Sequence, residues 1–355
     1  MPHLPNQDIL TSSEQSDASM DVSSARSAGG WKTNTEIRAK KIAILIPCYN
    51  EARTIGKVVR DFRRALPWAD IYVYDNNSND QTQVAARDAG AIVNAETRRG
   101  KGHVVRRMFS DIDADVYLLV DGDDTYDASG APAMISSLVE NRLGMVVGRR
   151  IHQDPGAYRP GHVFGNAILT RLVNCLFGNE VTDILSGYRV FSRQFVKSFP
   201  ILTTGFEIET ELTVHALGLR VPTSEVDTPY RARPEGSTSK LSTYRDGLRI
   251  LNTIIGLLKN ERPLLFFGTA FFILNLVSLA LSYPILVTYL RTGLVPRFPT
   301  AILCTGLSLL GFICLTCGLV LDTVTRGRWE TRYLAWLGAS GDQADRHWSQ
   351  CRPST

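Results

Sequence analysis

Cysteine is scarce and scattered, with six in 355 residues at positions 48, 175, 304, 314, 317 and 351. The one C-x-x-C, Cys314 and Cys317, lies inside an apolar run with no second pair of ligands nearby, so neither a zinc site nor a disulfide framework is indicated. An excess of one charge is also missing: a formal net charge of +4 is too small to argue for nucleic acid as a partner. Residues 1–38 are rich in Ser, Asp, Ala and Gly and lack the apolar core of a signal peptide, so a disordered tail is expected there. No internal repeat is visible. The dinucleotide fingerprint G-x-G-x-x-G does not follow the first strand-like run, and "RRGKG" (98–102) lacks the first glycine and the hydroxyl residue of a P-loop. Phosphates cradled by a glycine loop are therefore not expected.

What the chain does contain is two long apolar runs, 264–290 ("LLFFGTAFFILNLVSLALSYPILVTYL") and 298–321 ("FPTAILCTGLSLLGFICLTCGLVL"), without a charged residue. Each exceeds the roughly 20 residues that cross a bilayer, and "RTGLVPR" joins them as a transmembrane hairpin. Arg245, Arg249, Lys259 and Arg262 precede the first run and Arg326, Arg328 and Arg332 follow the second, against Arg291 and Arg297 between them. That bias places the large N-terminal region in the cytoplasm and makes the chain an integral protein of the cell (inner) membrane, with 322–355 a cytoplasmic tail. In 241–263, Leu248, Leu251, Ile254, Ile255 and Leu258 recur at helical spacing among basic residues. This pattern suits an interfacial helix or an amphipathic core helix.

Between tail and membrane, residues 39–240 alternate strand-like and helical patterns: "KIAILI" then 53–66, "DIYVYD" then 80–89, "AIVN" then 101–112, "VYLLV" then 130–141, and "GMVVG". The alternation predicts an α/β domain with an open, mostly parallel sheet covered by helices. Ligands of such sheets bind outside the carboxyl ends of the strands. Three polar clusters fall there: "PCYNE" (47–51), "DNNSND" (75–80) and "DGDD" (121–124).

The last cluster crowds Asp121, Asp123, Asp124 and Asp127 into seven residues. Carboxylates so close are tolerated only if solvated, partly protonated or gathered around a cation. A bare D-x-D decides nothing, since "DIDAD" just upstream holds it twice more. Beside a nucleotide pocket, such a pair suits Mg²⁺ or Mn²⁺ bridging protein and diphosphate.

In order along the chain, "IPCYNEARTI", "YDNNSNDQT", "GKG", "LVDGDDTYD", "LSGYRVFSR" and "RARPEGSTSKL", followed by two spans, resemble family 2 glycosyltransferases of the GT-A fold. The resemblance extends to the polyprenyl-phosphate group, similar to dolichyl-phosphate mannose or glucose synthases, and covers about 40–245. It implies inverting, metal-dependent transfer of a hexose from a nucleotide sugar (UDP-glucose, UDP-N-acetylglucosamine or GDP-mannose) to a polyprenyl phosphate. Pro47, Tyr49, Glu51, Asp75, Asn76, Lys101 and Asp121 would line the nucleotide-sugar site, with Asp75 addressing the base. Asp121 and Asp123 would serve metal and catalysis. Thr125 stands where many relatives have a further glutamine ligand, which brings Asp124 into the metal set. Arg149, Arg189, Arg231, Arg233 and Lys240 would hold the acceptor phosphate, Arg149 and Arg233 acting in catalysis. A phosphate acceptor is already ionised near neutrality, its second pKa being about 6, so no general base is required. Relatives often carry a further arginine where this chain has Val163, and either His162 or Arg159 could take its place.

Simpler readings stand beside these roles. Glu51 could cap a helix, Asp75 could open a turn, Asp127 reads as a helix N-cap, and the basic set could touch anionic lipid headgroups. In "FEIETE", Glu207 and Glu211 share one helical face, which could supply a base in relatives with hydroxyl acceptors but reads more simply as ordinary surface acids. A processive polysaccharide synthase would carry Q-x-x-R-W, and "TRGRW" (325–329) has no glutamine. Another membrane acceptor, or a non-catalytic nucleotide-sugar binder, are the competing functions. Assembly through the spans into a homo-oligomer is an expectation from analogy only.

Overall fold

The computed structural model describes residues 37–152, 170–171, 173–175, 181–200, 208–231, 252 and 255–350. The chain divides at Lys40. Before that point one helical turn is described, with Lys40 N donating to Ile37 O at 3.2 Å.

From Lys41 onward the elements are β1 (Ile42–Cys48), α1 (Ile55–Ala65), β2 (Asp70–Asp75), α2 (Thr82–Asp88), β3 (Ile92–Ala95), α3 (Lys101–Asp111) and β4 (Val116–Leu119). A 3₁₀ turn (Ala128–Gly130) leads to α4 (Ala131–Glu140), β5 (Met145–His152), β6 (Arg189–Ser192), α5 (Arg193–Ser198), α6 (Ile208–Gly218) and β7 (Thr223–Tyr230). Two long helices follow, α7 (Pro263–Thr292) and α8 (Phe298–Gln350). All five strands and four helices read from the alternation up to residue 152 are present. β6 and β7 lie outside that alternation, because "RVFS" is short and "TSEVDTPY" is mostly polar.

The strands form one sheet in the order β3-β2-β1-β4-β6-β5-β7. Every pairing is parallel except the two made by β6, which runs against both β4 and β5. Ile42–Cys48 is apolar almost throughout because helices cover both faces of the sheet at its centre. On one face Ala43, Leu45, Tyr117 and Leu119 join Val105, Met108 and Phe109 of α3, Phe195 of α5 and Leu212 of α6 in a single core. Ile42, Ile44 and Ile46 alternate with these and are equally buried. Helix α1 shows why it folds: Ile55, Val58, Val59 and Phe62 recur at i, i+3, i+4 and i+7 and are its buried residues.

Helices α7 and α8 are long and apolar enough to cross a membrane, and only 6% and 17% of their most apolar stretches is buried. Helix α7 stops at Gly293, whose φ of 69° gives the left-handed terminus glycine favours. Helix α8 continues past the expected end of its span to Gln350, so 322–350 is helical. Trp336 explains part of this, for it packs on the core of the α/β domain, and its carbonyl accepts from Gln194 Nε2 at 3.0 Å. Of the 241–263 stretch, 241–251 and 253–254 lie outside the described residues, and 255–261 is helical.

Helix α6 is buried along nearly all its length, His215 included. The imidazole lies against Phe195 and Phe199, ring centres 5.4 and 5.0 Å away. Neither ring nitrogen has a hydrogen-bond partner among the described residues. Burial, with some help from the charge of Arg332, pushes the His215 pKa down from 6.5 to about 3. Between those values the unfolded chain takes up a proton that the folded chain refuses. Stability is therefore full above pH 6.5 and declines as pH falls toward 3, by roughly 1.4 kcal/mol per unit. A His215→Leu chain should lose this contribution to the decline. Unfolding curves in detergent at pH 7.5, 6 and 5 test it, and identical pH dependence in both chains would count against the burial argument.

Candidate active site

Strand order reverses between β1 and β4, so their following loops part and leave a cleft at the carboxyl edge. The loops after β1, β2 and β4 each contain one left-handed residue: Asn50 (φ 53°), Asn77 (φ 63°) and Asp124 (φ 59°). Asn and Asp accept that conformation more readily than most side chains. The first two loops are sewn together: Asn50 N donates to Ser78 Oγ at 2.8 Å, Asn79 N to Asn50 Oδ1 at 2.8 Å, and Glu51 N to Thr82 Oγ1 at 2.9 Å. Thr54 reaches across from the start of α1, its Oγ1 donating to Gly122 O at 2.7 Å. Gly122 itself has no room for more, since a Cβ there would lie 2.7 Å from Cys48 Sγ.

In the acidic loop each carboxylate has its own partner. Asp121 Oδ1 lies 2.5 Å from Lys101 Nζ at the start of α3. The other side of Asp121 rests on Gly187, where a Cβ would come within 2.4 Å of Oδ2. Lys101 also reaches Glu209 Oε1 of α6 at 2.6 Å. Burial alone would pull the lysine pKa down, but the two carboxylates overcome it and hold the ammonium charged well above its ordinary range. Asp123 is buried and accepts from Thr125 Oγ1 at 2.6 Å. Asp124 pairs with Lys57 of α1 at 2.6 Å. Asp127 caps the 3₁₀ turn by accepting from Ser129 N at 2.9 Å, and it pairs with Arg231.

Asp75 closes β2 and is buried. Its Oδ2 accepts from Gln83 Nε2 at 3.0 Å and Ser78 N at 3.2 Å, whereas Oδ1 has no partner among the described residues. A buried carboxylate oxygen without a donor is costly unless a ligand supplies one. The far wall is built around Tyr126, whose hydroxyl accepts from Gly187 N at 2.9 Å. Beneath it Arg150 and Asp183 form a two-pronged pair, with both N···O distances 2.7 Å. Burial tends to raise the Asp183 pKa, but the guanidinium outweighs it and holds the carboxyl below its usual range.

The sequence profile described as Glycosyl transferase family 2 matches residues 43–199. Glycosyltransferase AglJ of Haloferax volcanii is 37% identical over 242 residues, covering 68% of this chain and 80% of that protein. The chain belongs to glycosyl transferase family 2. A dolichyl-phosphate hexose transferase of the same archaeon is 28% identical across 64% of this chain and 98% of its own length. Among solved structures, the glucosyl-3-phosphoglycerate synthase of Mycobacterium tuberculosis in complex with Mn²⁺, UDP and phosphoglyceric acid superposes with a TM-score of 0.54 at 19% identity. That match covers 64% of this chain and 81% of that one. The fold is GT-A, and the protein is a glycosyltransferase.

Within this glycosyltransferase, Pro47, Tyr49, Glu51, Asp75, Lys101, Asp121 and Asp123 lie on the loops and element ends at the carboxyl edge, as the sequence placed them. Three expectations need correction. The first concerns Arg189, which has no exposure: it donates to Ser186 O at 2.8 Å, Thr213 Oγ1 at 2.8 Å and Ile184 O at 2.5 Å, holding the wall together instead of meeting a phosphate. Burial pushes its pKa down to about 10. Asn76 is taken up by the segment between β3 and α3, donating to Glu96 O and Arg98 O at 3.0 and 2.7 Å and accepting from Gly100 N at 2.7 Å. Finally, Asp124 is drawn off by Lys57, and among the described residues no group of three or more His, Cys, Asp or Glu is placed to hold a metal. Arg149 is exposed and paired with Asp227 of β7 at 2.5 Å. Arg233, Lys240, Arg159, His162, Val163 and Glu207 lie outside the described residues. Glu209, between Glu207 and Glu211 in sequence, is a site residue that the pairing of those two on one helical face does not indicate. Its two-residue offset, which turns it to the opposite helical face, was the available signal.

Replacing Gly122 by alanine should cost about 1–3 kcal/mol of stability through overpacking against Cys48. The double change Gly122→Ala, Cys48→Ala should recover most of it. Denaturant midpoints of the three chains decide the matter, and equal loss in the single and double variants would refute the contact as the cause.

Proposed function

We propose that this glycosyltransferase moves a hexose from a nucleoside diphosphate sugar to a polyprenyl phosphate at the cytoplasmic face of the cell membrane. The observation that carries the donor half is the buried Asp75, whose Oδ1 has no hydrogen-bond partner among the described residues, at the carboxyl end of β2 on the same sheet edge as Asp121 and Asp123. A nucleobase N–H supplies the donor that oxygen lacks. The lipid half draws on a relative named for dolichyl-phosphate hexose transfer and on two apolar helices whose surfaces the protein leaves largely uncovered.

On this reading residues 39–240 form the catalytic domain, 241–263 lie along the membrane surface, 264–290 and 298–321 span it, and the end of the chain returns to the cytoplasm. Asp121 and Asp123 fit a divalent cation. They supply one or two carboxylates, the complement Mg²⁺ or Mn²⁺ takes when phosphates and water complete the shell. The solved fold neighbour was captured with Mn²⁺ and UDP. Bound there, the cation offsets the charge of the departing diphosphate. Asp75 orients the base, and Lys101 keeps a positive charge beside Asp121. Arg149 and Arg231, both exposed, with Arg233 and Lys240, draw in the acceptor phosphate and hold it in line with the sugar. That phosphate attacks the anomeric carbon as an anion, with inversion, so the protein supplies position and charge rather than a base.

The test incubates full-length protein in detergent with radiolabelled UDP-glucose, UDP-N-acetylglucosamine or GDP-mannose, with undecaprenyl or dolichyl phosphate, and with Mn²⁺, Mg²⁺ or EDTA. Label should enter the organic phase from one donor, only with metal, and fall at least about 100-fold in Asp123→Ala, as expected when a principal electrostatic group is removed. Asp75→Ala should chiefly raise the donor KM, because it removes binding rather than chemistry. Label in polymer or glycolipid instead would redirect the acceptor. Absence of any transfer despite tight nucleotide binding would make the protein a binder.

A further inference from the structure

Lys101 is shared between two carboxylates of different standing. Its Nζ lies 2.5 Å from Asp121 Oδ1 and 2.6 Å from Glu209 Oε1; Lys101 and Glu209 are closed off from solvent, whereas Asp121 is 31% exposed and faces the cleft. The three groups come from different elements: α3, the end of β4 and the first turn of α6. Nothing in the local sequence requires their meeting.

A cation drawn to Asp121 finds an ammonium on one of the same oxygens. Two positive charges so close repel, and both need the same lone pairs. The ammonium can shift its weight, because Glu209 offers a second anionic seat at almost the same distance. Glu209 is buried, so it has little water to fall back on and keeps a strong claim on Lys101.

We propose that Lys101 is a resident counter-ion that competes with the divalent cation for Asp121, and that Glu209 is the positioning residue onto which it withdraws when cation and nucleoside diphosphate load together. The inference rests on reading Asp121 as a cation ligand. Its consequence is order: the cation alone binds weakly, since it must displace an ammonium. With the diphosphate present there is enough negative charge for both cations, so metal and donor reinforce each other.

The experiment measures Mn²⁺ binding without donor, by the paramagnetic resonance of free Mn²⁺, on full-length protein in detergent. Lys101→Met should bind Mn²⁺ roughly tenfold tighter than the wild type, the scale on which a nearby opposite charge alters ionic equilibria. The double variant Lys101→Met, Glu209→Gln should do the same, and it leaves no buried charge unpaired should the single change unfold the site. Glu209→Gln alone should bind Mn²⁺ several-fold more weakly, because Lys101 is then left wholly to Asp121. Opposite directions in the Lys101 and Glu209 variants separate competition from general loosening, which would weaken all of them. If Asp121→Asn abolishes binding while both Lys101 variants match or fall below the wild type, the competition is overturned and the cation site stands. If Asp121→Asn changes nothing, or no chain binds Mn²⁺, the underlying reading of Asp121 fails and the inference falls with it.

Discussion

Four carboxylates within seven residues can share a loop only if their mutual repulsion is answered, and the structure gives three of them cationic partners from separate elements and the fourth a hydroxyl of its own loop. Lys101 of α3 meets Asp121, Thr125 meets Asp123, Lys57 of α1 meets Asp124, and Arg231 after β7 meets Asp127. The loop is therefore held in shape by charges that arrive only when α1, α3 and β7 are in place. Its backbone adds a further constraint. Gly122 passes Cys48 with no space for a methyl group, and Asp124 adopts a left-handed turn that directs it to Lys57 and away from its neighbours. Crowding in sequence becomes separation in space.

The two halves of the sheet do different work. From β3 to β4 the strands are parallel, apolar and continuous, and their loops carry the groups proposed for the donor. Beyond β4 the antiparallel β6 interrupts the pattern, and arginine enters the interior: Arg189 is fully enclosed, and Arg150, largely covered, is locked to Asp183. Buried ion pairs add little net stability, because desolvation offsets the attraction. What they provide here is geometry. Arg189 ties the 184–186 turn to α6, and Ser186 Oγ donates to Gly148 O at 2.6 Å. Gly187 is thereby held close against Asp121.

Helix α6 joins this wall to the rest of the protein. Its first turn brings Glu209 to Lys101, and its last turns, through Ala216 and the following Val221, share a core with Trp336 of α8. The helix that would leave the membrane is thus packed on the same core that lines the site. A helix buried along nearly all its length admits few alternative positions, so α6 relates the site to α8 through its ion pair and its packing.

Periodicity and composition determined the first five strands, the first four helices, the carboxyl edge as the location of the site, and the two apolar helices. Each of these depends on local pattern: apolar runs make buried parallel strands, and loops follow where the pattern breaks. The ordered motifs also placed the chain in its family. Arg189 could not be assigned correctly from "SGYR", because whether an arginine faces solvent or the core depends on where β6 inserts, and an antiparallel insertion has no local signal in four residues. Nor could Asp124 be separated from Asp121 and Asp123, since the separation comes from Lys57, 67 residues away along the chain. Glu209 is the clearest case. It lies 108 residues from Lys101, and only the packing of α6 against α3 and β4 decides that this glutamate faces the site, because partners so distant are chosen by the whole fold and not by their neighbours in sequence.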